Sequence, residues 1–184
     1  MRRDWLAWLS AVIWFGALLA GIVGWEWYTL TPGSKGTPEA IEAEPGGWRM
    51  TIFVHPHCPC TRTTLTDLMD LGHADPDLAV RVVFVIPPDA PAEWWNSPSR
   101  AIAESISGVE IVRDDGTEAR RSGAETSGHT FLIDPTGRTV FCGGLTPGRG
   151  RDGALRAWLS RMKSSSGERV DAPVYGCPLF TPNP

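Results

Sequence analysis

The chain has 184 residues, which suits one membrane segment plus one compact domain and excludes two full domains. Its hydrophobic content of 42% excludes global disorder, and its four cysteines are too few for a disulfide-framed mini-domain. The net charge of -4, with no Lys/Arg run beyond the N-terminus, leaves nothing to track phosphates, so no nucleic-acid partner is expected.

Met1-Arg2-Arg3-Asp4 precedes an uncharged stretch of 21 residues, Trp5 to Trp25, closed by Glu26. At about 1.5 Å rise per residue a helix there reaches about 31 Å, the thickness of a hydrocarbon core. Trp5 and Trp8 at one end, and Trp25, Trp27 and Tyr28 at the other, fit two interfacial aromatic belts. The arginine pair should keep the N-terminus in the cytoplasm. Residues 1–28 are therefore expected to be an uncleaved, single-pass anchor in the inner (cytoplasmic) membrane, with the rest of the chain in the periplasm or otherwise outside the cytoplasm. A cleaved signal peptide fits less well, because Gly21-Ile22-Val23-Gly24 is a poor substitute for an A-x-A site.

Residues 29–47 are rich in Pro, Gly, Glu and Ser and carry no apolar period, so a flexible linker is expected. Residues 49–55, RMTIFVH, form a short apolar run bounded by turn residues and predict a buried strand. Leu65, Leu68 and Met69 have helical spacing within 59–71, and Pro59 suits a first helical turn. Residues 78–86 predict a second apolar strand, stopped by Pro87-Pro88. A helix from Pro98 to before Gly108, a short strand over 109–113, a turn at 114–116 and a short helix within 117–123 follow. Residues 130–134 and 138–143, joined by Pro135-Thr136-Gly137, predict a hairpin. Leu155, Trp158, Leu159 and Met162 share one face of a helix over 152–162. The tail, 164–184, reads as coil, but Val174, Tyr175, Leu179 and Phe180 should pack on the domain of residues 48–163. βαβ followed by ββα implies an α/β fold, a mixed sheet flanked by helices.

The sharpest chemical signal is His55-Pro56-His57-Cys58-Pro59-Cys60-Thr61, where the first strand gives way to a helix. A helix N-terminus offers free N–H groups and a positive dipole end, and both favour a thiolate, the nucleophilic form of cysteine. Arg62, His55 and His57 add positive charge nearby. Cys58 is the better placed nucleophile, with Cys60 as the resolving thiol. A C-x-C disulfide closes a tight ring, and strain makes a disulfide more reducible, so an oxidising couple is expected. The same cluster of thiols and imidazoles is also a soft-ligand set suited to Cu(I), with Cys58, Cys60 and His57 as ligands. Cys142 and Cys177 can pair as a structural disulfide outside the cytoplasm, or Cys177 can fold over Cys58 as an extra resolving thiol. The Gly-rich run from Gly143 to Gly150 lacks the G-K-[ST] ending of a phosphate loop and is expected to be a tight turn.

Strand–Cys–helix at the front and TFLIDPTGR later resemble the thioredoxin superfamily. HPHCPCT, VRDDG, TSGHTFLID, FCGGLT and GCPL together look like the RedB-type thioredoxin-fold proteins of bacteria, over roughly residues 48–180. The resemblance puts Cys58 on the first, nucleophilic cysteine and Thr61, rather than Cys60, on the second. It puts Gly128, preceded by Ser127, where thioredoxins carry a cis-proline facing the active site. It implies that Ser127, Gly128 and His129 face Cys58 and tune it or bind substrate.

The expected function is thiol–disulfide exchange with a protein partner outside the cytoplasm, with no cofactor required. The alternative is a Cu(I) carrier without enzymatic turnover.

Overall fold

The computed structural model describes residues 2–37, 45–71, 75–151, 153, 155–164 and 168–180. The first helix, α1 (Arg2–Leu30), contains an apolar span, Trp5–Leu30, of mean hydropathy 2.2. It is long and apolar enough to cross a membrane, and its apolar window is not buried against the rest of the chain. Anchors and signal sequences share that property.

β1 (Trp48–Val54) leads through α2 (Pro59–Leu71) to β2 (Leu78–Val85), which pairs parallel to β1. After a single 3-10 turn, Ala92–Trp94, come α3 (Pro98–Glu104), β3 (Val109–Asp114) and α4 (Thr117–Arg121). β4 (His129–Ile133) and β5 (Thr139–Gly143) form the expected hairpin, followed by α5 (Leu155–Ser164) and β6 (Val170–Asp171). The sheet order is β3-β2-β1-β4-β5-β6, with β4 antiparallel to β1.

Local chemistry sets the element boundaries. Ser97 Oγ accepts the Arg100 N–H at 3.3 Å, and Pro98 takes the first helical position of α3. Asp114 caps α4 by accepting the N–H groups of Glu118 and Ala119, each at 3.0 Å. Asp134 closes the hairpin turn on the Thr136 and Arg138 N–H groups, and Gly137 supplies its positive φ of 89°.

Alternation along the strands divides two cores. Met50, Ile52 and Val54 join Val82, Phe84 and Leu132 on the face covered by α2, α3 and α5. Phe53, Val83, Val85 and Phe131 face α4 and the tail residue Leu179. The expected helical face of Leu155, Leu159 and Met162 is buried, with Trp158 edge-on to Phe141.

Two segments read from sequence as irregular are tied to the domain. Residues Gly33–Gly36 of the expected flexible linker bond to it: Gly33 N–H to Val174 O at 2.8 Å, Gly36 N–H to Gly123 O at 3.0 Å, and Ser34 O from Thr126 Oγ1 at 2.7 Å. The composition carried no apolar signal because the backbone makes these contacts. The linker's middle, 38–44, the expected helix start at 152, and the tail end, 181–184, lie outside the described residues. The tail, expected as coil, contributes β6 beside β5.

Candidate functional site

Cys58 sits where β1 has ended and α2 begins. Its N–H bonds back to His55 O at 3.2 Å, and its own carbonyl accepts the Thr61 N–H at 3.1 Å. Pro59, the first residue of α2, has no N–H to leave unpaired. Thr61 then closes a ring of three bonds: His55 N–H to Ser127 Oγ at 2.9 Å, Ser127 Oγ–H to Thr61 Oγ1 at 2.9 Å, and Thr61 Oγ1–H to His55 O at 3.2 Å. Only this donor order satisfies both hydroxyls. It pins the end of β1, the first turn of α2 and the 126–128 loop to one another.

The Cys58 side chain is 1% exposed, covered by the tail segment Gly176-Cys177-Pro178. Its sulfur accepts the Cys177 N–H at 3.4 Å. Hydrogen bonds from the thiols of Cys177 and then Cys60 hold its pKa far below the ordinary thiol range. Burial opposes them, and the N–H groups of Cys177 and Thr61 assist. The other two thiols move the opposite way. Bonding to Cys58, then burial, pushes Cys60 and Cys177 up, while Arg149 draws both down and the Gly150 N–H assists Cys60. The arrangement thus favours the thiolate at Cys58, with the Cys60 and Cys177 thiols as donors to it.

The structure sorts the expected residues. His55 is buried, its Nδ1 accepts the His57 N–H at 3.2 Å, and burial first of all lowers its pKa. His57 is exposed, and both imidazoles lie edge-on to Trp94, with centroids 5.0 and 5.3 Å away. Ser127 and Gly128 lie beside the site, as expected of that loop. Gly128 takes φ 92°, and its N–H bonds to Phe53 O at 2.8 Å. His129 does not face Cys58: its ring stacks on Phe131, and Nε2 lies 3.2 Å from Cys142 Sγ. β-strand alternation sends it to the opposite side from Thr130. Arg62 is exposed, and the cation acting on Cys60 and Cys177 is Arg149 instead. Cys142 and Cys177 are free thiols in different surroundings, and of the two placements expected for Cys177 the structure shows the one at Cys58 and not the pairing with Cys142.

Arg149, missed in the sequence, belongs to the Gly-rich loop read as a tight turn. Its guanidinium donates to Gly176 O, lies 3.4 Å from Thr31 O and stands 5.1 Å over the Tyr28 ring. Its backbone N–H bonds to Thr29 O at 2.9 Å. The loop therefore joins the end of α1, the tail and the thiols. No spacing rule could have signalled it, because its partners come from three distant segments.

No family model and no curated protein matches the chain. Among solved structures, a hypothetical protein from Sinorhizobium meliloti is 20% identical, with TM-score 0.61, covering 84% of this chain and 97% of the other. A secreted disulfide oxidoreductase from Mycobacterium tuberculosis, homologous to E. coli DsbE, is 12% identical with TM-score 0.50, covering 66% and 84%. A candidate thioredoxin from Neisseria meningitidis is 13% identical with TM-score 0.50, covering 72% and 93%. The fold is thioredoxin-like.

Thr61, which the resemblance set at the second cysteine, spends its hydroxyl on the bonded ring at His55 and Ser127. Two other thiols stand beside Cys58, that of Cys60 within the same helical turn and that of Cys177 from the tail.

Proposed function

We propose that the chain is a membrane-anchored thiol–disulfide exchange protein of RedB type, working outside the cytoplasm on a protein disulfide or dithiol. The observation that carries this reading is Cys58 Sγ at the start of α2, accepting the Cys177 N–H at 3.4 Å with the Cys60 and Cys177 thiols beside it, an arrangement that favours its thiolate.

The Cys58 thiolate attacks one sulfur of a partner disulfide. A Cys58–partner bond forms, the partner S–S bond breaks, and the other partner sulfur leaves and takes up a proton. That step removes the charge that held the neighbouring thiols protonated, since bonding to Cys58 is the first cause of the raised pKa of Cys60. Cys60 then loses its proton more easily, with Arg149 and the Gly150 N–H favouring its anion. It attacks Cys58 Sγ and releases the second partner thiol. The reverse sequence donates the disulfide. The ring strain of C-x-C supports an oxidising couple, with a potential above the roughly -270 mV of thioredoxin.

The Cu(I)-carrier reading draws less support. His57, one of its expected ligands, turns to Trp94 instead of to the thiols.

The test is the reaction of the reduced full chain, in detergent, with oxidised glutathione, followed by mass spectrometry from pH 5 to 7. An ordinary thiol loses about 100-fold in thiolate over those two units, whereas Cys58, already ionised, should keep nearly all of its rate. Cys58→Ser should lower the rate at pH 7 by at least about tenfold, because an ordinary thiol there is only a few per cent ionised. Equal rates for the wild type and Cys58→Ser would end this reading.

A further inference from the structure

The tail is placed over Cys58 by contacts specific to it. Cys177 O accepts the Ser127 N–H at 2.8 Å, Leu179 N–H bonds to Glu125 O at 2.8 Å, and Thr126 and Pro178 form an antiparallel bridge. Val174 and Leu179 are buried on either side. Gly176 is required between them: a Cβ there would lie 2.0 Å from Ser127 O, a backbone atom that cannot step aside. The closeness of that approach brings the Cys177 N–H onto Cys58 Sγ at 3.4 Å and its thiol within hydrogen-bonding reach of the same sulfur. With Cys58 1% exposed, no partner protein reaches it while the tail is down.

Cys60 and Cys177 stand in the same relation to Cys58: both donate to it, and both feel Arg149. They differ in what a bond to Cys58 demands. Cys60 is two residues away, so its disulfide closes a small, strained ring. Cys177 comes from a segment 119 residues distant that carries its own backbone, so no such ring restricts it. From this geometry we infer that Cys177 is a second resolving thiol, and that the Cys58–Cys177 disulfide latches the tail over the site.

The inference rests on the exchange reading above. The tail lifts and Cys58 forms a mixed disulfide with the partner. When the tail returns, Cys177 gives up its proton and attacks Cys58 Sγ. The Cys58–Cys177 bond forms, the Cys58–partner bond breaks, and the partner thiolate leaves and is protonated. Two electrons pass from Cys58 and Cys177 to the partner, which departs as a dithiol. An oxidised chain is thereby closed to further partners until a dithiol attacks Cys177 and reopens it.

The experiment uses the full chain in detergent with oxidised glutathione as the disulfide probe. Cys60→Ser should still expel glutathione and yield a Cys58–Cys177 linked peptide on digestion. Cys60→Ser/Cys177→Ser should accumulate the glutathione adduct at Cys58 at least tenfold over Cys60→Ser alone. Equal adduct in the two variants would overturn the role of Cys177 while leaving the exchange reading intact. No adduct in either, with no reaction of the wild type, would remove the exchange reading itself. As a test of the cover, Gly176→Val should speed iodoacetamide labelling of reduced Cys58 at least tenfold. An unchanged rate in that variant, with circular dichroism as in the wild type, would overturn the latch.

Discussion

At Cys58 the preference for the thiolate comes from hydrogen bonds rather than from a neighbouring cation, and this decides the order of events. The same bonds that favour the anion at Cys58 favour the protonated thiol at Cys60 and Cys177, so in the proposed exchange attack comes first from Cys58 and resolution waits until its charge is gone. His129 shows the opposite use of burial. Enclosed beside Cys142 and stacked on Phe131, it is pushed down to about 4, chiefly by desolvation, with Lys35 and Arg169 assisting and Asp171 opposing. Below its ordinary value of 6.5 the unfolded chain takes up a proton that the folded chain refuses until about 4. Stability should therefore be lost as pH falls through that window, by roughly 3 kcal/mol at pH 4 from this group. Urea unfolding at pH 7 and pH 4 should show His129→Gln losing less than the wild type by about that amount. An identical loss in both would mean that the imidazole is charged in the folded state.

Among the elements, α2 and the tail carry the site from opposite sides. The start of α2 was legible because a strand-ending run, Pro59 and a helical apolar period all coincide at Cys58. The tail was legible as apolar residues in want of burial, and as a carrier of Cys177 with two open placements, against Cys142 or over Cys58. Leu179, 1% exposed, fastens it to Phe53, Val83 and Phe131 on the face away from α2. Leu179→Ala should cost about 2–5 kcal/mol, as large-to-small core changes do, if the tail unfolds with the domain. It should also speed alkylation of Cys58 by loosening the cover. Thermal unfolding and iodoacetamide kinetics on the one variant measure both. A lowered Tm with unaltered alkylation would separate the packing of the tail from its hold on the site.

In the whole molecule, the end of α1 meets the site rather than standing off from it. Arg151 pairs with Glu26 at 2.6 Å, and Arg149 spans Thr29, Tyr28, Gly176 and the thiols. With α1 in a bilayer, the thiols would lie on the membrane-facing side of the domain. Protease added to intact spheroplasts should then degrade the domain while leaving a fragment of about the size of α1. Protection until the membrane is opened would place the domain on the cytoplasmic side.

The order of strands and helices, the apolar N-terminal span and the position of Cys58 at a helix start follow from sequence alone, because each depends on neighbours within a few residues. Periodicity, Pro and Gly placement and helix-end dipoles are local physics. Tertiary structure decided what stands opposite that start: Cys177 rather than Cys142, Arg149 rather than Arg62, Thr61 and Ser127 in a bonded ring, and His129 turned away. Those contacts join residues far apart in the chain, and only the packed sheet, with Gly176 against Ser127, brings them within reach.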